Sequence, residues 1–251
     1  MFVLHRHGEV FTLFLTGTIP DDEHHLSPAI IASLLSCLRQ ATSLSTSGSV
    51  LITTASGKFF CNGFDLKYAR STPSPSRQVE KMVDSVKDVV VALLNLPMLT
   101  IAAVNGHASG AGLVLALLHD YVIVNGCHGY MYMSEIDLGL RLPDFAIAIL
   151  REKVGSERRR GLRELVLWGR RMKGEEALAL GVVDEALMEG GEEEIQRRAK
   201  EMAMELGKKN WDGRVYAELR KGLFKEVWVV LGLERTAAVV AGTQMVSRCR
   251  I

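Results

Sequence analysis

The sequence predicts an α/β fold, and three observations carry that expectation. Short apolar runs alternate with helical-period runs over about the first 140 residues, as stacked βαβ-type units require. Two of those apolar runs lead directly into glycine-bearing turns, Gly57 to Leu66 and Asn105 to Gly112. Beyond Asp144 the pattern becomes almost wholly helical.

The elements follow in order. Phe2–His7 and Val10–Leu15 alternate around a short turn and read as a hairpin. Residues 16–25 form an acidic loop. Ser27-Pro28 then supplies the cap and first-turn residues of a helix reaching about residue 43. Residues 50–54 are a short apolar strand, and residues 71–76, rich in serine and proline, read as a flexible connector. A helix over 77–94 follows, with Val79, Met82, Val83, Val86, Val90 and Leu93 at helical spacing, stopped by Asn95-Leu96-Pro97. Leu99–Val104 is a buried strand, 112–119 a helix opening inside the second glycine turn, and 121–124 and 130–133 are strands. Helices are expected over 145–153, 157–168, 174–179, 192–208, 214–230 and 234–246. A core of 1–190 with a helical region of 191–251 is the expected organisation.

Composition narrows the function. The chain has 251 residues, 48% of them hydrophobic, enough for one sizeable core. Lys plus Arg is 30 and Asp plus Glu 29, so no global field favours nucleic acid or an anionic membrane. The four cysteines, Cys37, Cys61, Cys127 and Cys249, form no CxxC pair, which fits a reducing compartment. No apolar stretch has membrane-spanning length, and the start of the chain does not look like a signal peptide. His24-His25 and His119 lack partners at metal-ligand spacing, so no metal is expected.

The two glycine turns suggest a specific chemistry. Each can aim one backbone N–H at the same point, which would bind a developing oxyanion. Glu135, downstream of both, could move a proton on carbon beside that oxyanion. Alone, Glu135 would read as a surface carboxylate, with Asp137 its nearest rival.

These segments, in this order, resemble the crotonase superfamily, the enoyl-CoA hydratase/isomerase group. Val50-Leu51-Ile52-Thr53-Thr54 leading to Gly57-Lys58-Phe59-Phe60-Cys61-Asn62-Gly63-Phe64-Asp65-Leu66 resembles the family's first oxyanion turn. Pro97 to Gly112, and on to His119-Asp120, resembles the second turn and its helix. Ala177 to Asp184 resembles the family's later helix-and-strand segment.

The resemblance implies a spiral of ββα units with C-terminal trimerisation helices, giving a homotrimer or hexamer. It implies an acyl-CoA substrate, with coenzyme A part of the substrate and no separate cofactor. The oxyanion donors would be the N–H groups of Phe64 and Ala111, with the substrate lined by Lys58, Phe60, Gly63, Asp65, Leu66, Gly110 and Val114. Ala111 stands where many members have glycine, tolerable because the donor is main chain.

Family hydratases carry two glutamates, and here the first place is Val114 and the second Glu135. Valine cannot hold water or move a proton. The resemblance therefore implies a single-glutamate 1,3-proton shift, similar to Δ3,Δ2-enoyl-CoA isomerases and most like their plant peroxisomal branch, in degradation of unsaturated fatty acids. The alternatives are another crotonase activity, such as weak hydratase or thioesterase action, or a non-catalytic acyl-CoA-binding scaffold. Cys249-Arg250-Ile251 resembles a relaxed peroxisomal address read by an import receptor, so a peroxisomal location is expected, with the cytoplasm as alternative.

His107 reads as a hydrogen-bonded structural histidine, and Cys61 as packing. Arg158-Arg159-Arg160 and Arg170-Arg171 read as solvated helix faces.

Overall fold

The computed structural model describes residues 1–16, 23–155 and 159–233. The helix expected at 234–246, the tail Cys249-Arg250-Ile251, part of the acidic loop and the start of the helix expected at 157–168 lie outside the described residues.

A six-stranded sheet forms the backbone of the fold. The hairpin β1 (Phe2–His7) and β2 (Val10–Leu15) is antiparallel. From β2 onward every pairing is parallel, through β3 (Val50–Ala55), β5 (Leu99–Val104), β7 (Tyr121–Asn125) and β9 (Glu185–Leu187). A smaller sheet, also parallel, is made of β4 (Phe59–Cys61), β6 (His107–Ser109) and β8 (Met131–Tyr132).

Strand alternation sorts the core into two layers. Leu51, Ala102, Val104, Val122 and Val124 face the larger layer, which α1 (Pro28–Leu44), α3 (Pro75–Leu94) and α6 (Asp144–Val154) complete. Val50, Ile52, Leu99, Ile101, Ala103 and Ile123 face the opposite way and meet Ile195, Ala199 and Ala203 of α9 (Glu192–Gly207). Both faces of the parallel strands are thus covered, which is why they read as unbroken apolar runs.

Three consecutive ββα units position everything that follows. β3 leads through a turn to β4 and then α2 (Leu66–Arg70). β5 leads to β6 and then α4 (Ala111–Leu117), and β7 leads to β8 and then α5 (Glu135–Leu138). In each unit the first strand joins the large sheet and the second the small one. Because β4, β6 and β8 are neighbours, the residues just beyond them are neighbours too. Gly112 lets α4 lie on β4, since a Cβ there would stand 2.2 Å from the Cys61 carbonyl oxygen.

The structure differs from the sequence expectation in five places. Helix α3 begins at Pro75, because proline costs nothing at a first helical position, and the connector shrinks to 71–74. β4, three residues inside the first turn, is too short to show a period. The single helix expected at 214–230 is two, α10 (Gly213–Leu223) and α11 (Lys225–Val230), broken at Phe224. They part because α10 packs on α3 whereas α11 packs on α6. Glu135, expected beyond the strand with no element assigned, opens the one-turn helix α5, and left-handed Gly139 closes that turn. The expected helix near 157–168 is described as α7 (Arg159–Leu162) running into a π-helical turn, Arg163–Leu167. The later helix of the expected helix-and-strand segment is α8 (Gly174–Ala179).

Candidate active site

Phe64 lies three residues past β4, Ala111 two past β6 and Glu135 three past β8. The fold brings them together. A cavity of about 200 Å³ is lined by Gly63, Phe64, Leu66, Gly110, Ala111 and Glu135. The remainder of its wall comes from His25, Asn62, Lys67, Ser109, Ser134, Leu138 and Leu140.

The first turn is held by Leu26, whose N–H donates to the Gly63 carbonyl at 2.7 Å while Asp65 N–H donates to the Leu26 carbonyl at 3.3 Å. Those bonds bracket Phe64 and leave its own N–H uncommitted: among the described residues neither Phe64 N–H nor Ala111 N–H has an acceptor. Ala111 is the first residue of α4, where an N–H has no intrahelical partner and the helix end carries positive potential. The two turns touch, since a Cβ on Gly63 would lie 3.5 Å from Ala111 N. Asn105 reinforces the approach by donating from Nδ2 to the Gly57 carbonyl at 2.8 Å.

Gly110 sits between donor and carboxylate. Its backbone (φ 50°, ψ −124°) is one that side-chain-bearing residues avoid. A Cβ there would also come within 2.9 Å of Glu135 Oε1. The carboxylate therefore rests against the second turn at closest approach. Glu135 Oε2 is buried and has no hydrogen-bond partner among the described residues. Burial pushes the Glu135 carboxyl above its ordinary range, against a smaller opposing effect from its own backbone N–H. Such a group takes and returns protons more evenly than a solvated carboxylate.

Val114, in α4, is buried among Leu26, Ile31, Leu34, Val86 and Leu118 around a small apolar gap. Asp137 does not line the cavity, and its carboxylate points toward Gly169. Glu135 is thus the cavity's one lining carboxylate among the described residues.

Other sequence candidates lie outside this cavity. Phe60 is buried in the main core. The Asp65 carboxylate caps α2, accepting from Tyr68 N–H at 2.7 Å. Lys58 is exposed, its Nζ 5.6 Å from the Phe59 ring centroid. Arg171 lies over Tyr132 and Lys173 over Tyr130, and Lys58 and Arg171 both lie near His107, a cationic and aromatic patch. His107 Nδ1 accepts from Tyr130 N–H at 3.0 Å and its ring stacks on Tyr130, a structural placement. Burial, with Lys58 and Arg171 nearby, lowers its pKa. Cys61 is buried, its Sγ donating to the His24 carbonyl.

Sequence reasoning missed Asn62, Ser109 and His25 as wall residues. Asn62 and Ser109 each stand two places before a proposed donor, a matching offset visible in the two turns. A larger open cavity of about 950 Å³ lies between β1, β2 and α9, lined by Arg6, Glu9 and Lys200. Its carboxylate, Glu9, is taken up by Thr46 and Ser49, and neither glycine turn lines it. Among the described residues no helix is long and apolar enough to cross a membrane, and no cluster of three metal-ligating side chains occurs.

A spiral of ββα units that gathers two amide-bearing turns and one carboxylate defines a crotonase-type protein. The chain belongs to the enoyl-CoA hydratase/isomerase family, whose model matches residues 18–246. It is 49% identical over 237 residues to enoyl-CoA delta isomerase 2, peroxisomal, of Arabidopsis thaliana, covering 93% of this chain and 96% of that protein. It is also 49% identical over 228 residues to enoyl-CoA delta isomerase 3 of the same plant, covering 90% and 93%. The fold matches a probable enoyl-CoA hydratase, EchA3, of Mycobacterium tuberculosis, with TM-score 0.78 and 21% identity over 92% of this chain and 91% of that one.

Proposed function

We propose that this chain is a Δ3,Δ2-enoyl-CoA isomerase that moves a double bond by proton transfer through Glu135 alone. The observation that carries the reading is the single half-buried carboxylate against the second glycine turn, its Oε2 buried without a partner among the described residues, with Val114 in the place of a second acid. Long, high-identity likeness to enoyl-CoA delta isomerases supports the activity.

Glu135 removes a C2 proton from a 3-enoyl-CoA. The electron pair passes to the thioester oxygen, giving a dienolate held by Phe64 N–H and Ala111 N–H. Each such donor contributes roughly 2.7–4 kcal/mol to stabilising the transition state. The protonated Glu135 then returns its proton at C4, and the conjugated 2-enoyl-CoA leaves. No water enters the balance and no redox change occurs. The reaction as written requires no cofactor beyond the coenzyme A of the substrate. Gly63 and Gly110 allow the carbonyl to approach, Leu66 and Val114 flank the acyl side, and Phe60 and Asp65 hold the first turn in shape.

The cationic patch of Lys58, Arg171 and Lys173 suits the phosphates of coenzyme A. Residues 1–190 carry the whole site. Within 191–251, α9 braces the sheet, and the region builds a homotrimer or a dimer of trimers, a reading supported by the exposed apolar residues Leu219, Leu223 and Val229. Peroxisomal residence fits two relatives named peroxisomal.

The test is purified protein mixed with a 3-enoyl-CoA, following absorbance of the conjugated thioester, beside 2-enoyl-CoA to detect hydration. Conjugation without comparable hydration is expected. Hydration as the faster reaction would overturn the single-carboxylate reading, and binding without turnover would favour a scaffold.

A further inference from the structure

We propose that Asn62 is a positioning residue that sets the spacing between the two oxyanion donors and ties both to the strand carrying the base. The inference rests on the isomerase reading and deepens it. Asn62 stands two residues before Phe64, and Ser109 two residues before Ala111. The Ser109 hydroxyl donates to Asn62 Oδ1 at 2.6 Å, a direct cross-link between the two turns. The Tyr132 hydroxyl donates to the same oxygen at 3.4 Å, and Tyr132 lies three residues before Glu135 on β8. One amide oxygen therefore joins all three ββα units at the places where they deliver their functional groups.

The other end of the amide is anchored as well. Asn62 Nδ2 donates to the Glu23 carboxylate at 2.7 Å, and Asn62 N–H donates to the Glu23 carbonyl at 2.9 Å. These partners fix the amide orientation, with oxygen toward two hydroxyls and nitrogen toward a carboxylate. An aspartate would set two carboxylates together, and an alanine would release the Ser109 and Tyr132 hydroxyls and the Glu23 carboxylate. Oxyanion donors work within a few tenths of an ångström of the ideal distance, so a cross-link this close governs the rate. Asn62 and Ser109 act here through backbone placement and not by touching the reacting atoms.

The test uses Asn62→Ala, Ser109→Ala, the double variant and Tyr132→Phe in the full chain. Two readouts are taken: steady-state turnover of a 3-enoyl-CoA, and the absorbance red shift of a bound conjugated aryl-enoyl-CoA, which reports polarisation of the thioester carbonyl. Asn62→Ala is expected to lower kcat about 10- to 100-fold while KM moves less than about threefold. Ser109→Ala loses less in the same direction, and Tyr132→Phe least. The double variant is no slower than Asn62→Ala within about twofold, because both changes break one bond. The red shift shrinks in step with kcat.

Unchanged kcat and red shift in Ser109→Ala would overturn the proposal. So would losses that multiply in the double variant, since Ser109 would then act on the substrate independently. Should Asn62→Ala fail to fold, Ser109→Ala and Tyr132→Phe decide alone. If the wild-type protein binds the chromophore but isomerises nothing, the functional reading fails, while the red shift still tests the spacing.

Discussion

Replacing Arg220 with methionine keeps the stem of the side chain and removes its charge. Arg220 is almost wholly buried in α10, with its guanidinium forked onto the Asp120 carboxylate at 2.7 and 2.6 Å. The same group donates to the carbonyls of Leu93, Leu96 and Met98 at 3.2, 2.7 and 2.5 Å. It thus joins α10 to the α3–β5 connection and to the junction between α4 and β7. Burial raises the Asp120 carboxyl pKa, but the Arg220 guanidinium and the Thr100 hydrogen bonds outweigh it and hold the group below its ordinary range. Removing one partner of a buried pair costs about 3–5 kcal/mol, because the other charge is left without compensation. For a chain of this size each kcal/mol shifts Tm by roughly 2–4 °C. Arg220→Met should therefore melt about 6–20 °C lower, measured by circular dichroism at one fixed protein concentration. Adding Asp120→Asn removes the stranded charge and should recover part of the loss. A single variant melting within about 2 °C of wild type would refute the reasoning. So would a double variant lower than the single by the full cost of Asp120→Asn.

His119 supplies a pH prediction. It is fully buried, with Nδ1 donating to the Leu115 carbonyl and Nε2 accepting from the Thr53 hydroxyl. Burial lowers its pKa from 6.5 to about 4. The unfolded chain therefore binds a proton between those values that the folded chain refuses. Stability from this group is complete above pH 6.5 and is lost as pH falls toward 4, by roughly 3 kcal/mol in all. His119→Gln should flatten that part of the denaturation profile, and an unchanged slope would count against the assignment. Gly110→Ala places a methyl against Glu135 Oε1 in a strained backbone region. Its turnover should fall about 10²-fold with a smaller change in stability, read by kcat and Tm together. Gly112→Ala drives a methyl into the Cys61 carbonyl and should cost about 1–3 kcal/mol or more, separating α4 from β4.

The strands of the large sheet were legible because β3, β5 and β7 are buried on both faces and stand as apolar runs between turns. The two glycine turns and Glu135 were legible as a set only through their order in the chain. Composition alone leaves Glu135 indistinguishable from Asp137, and burial separates them: one rests on Gly110 and the other faces Gly169. The short elements were hidden for a physical reason. β4 and α5 have three and four residues, too few to repeat a pattern, whereas β8 falls inside the run 130–133 that reads as a strand. The break at Phe224 was equally hidden, since 214–230 has helical spacing throughout and only the two different packing partners divide it. The sequence marks Asn62 only by its offset two places before Phe64, and its role depends on contacts to residues 39, 47 and 70 positions away.

The central claim is that Glu135 alone carries the transferred proton. Glu135→Gln preserves size and removes the base, so turnover of a 3-enoyl-CoA by this variant is the measurement that tests it most directly. The account predicts that conjugation falls at least about 10²–10⁴-fold while the ester still binds with affinity near wild type. Conjugation retained within tenfold of wild type would contradict it and assign the proton to another group.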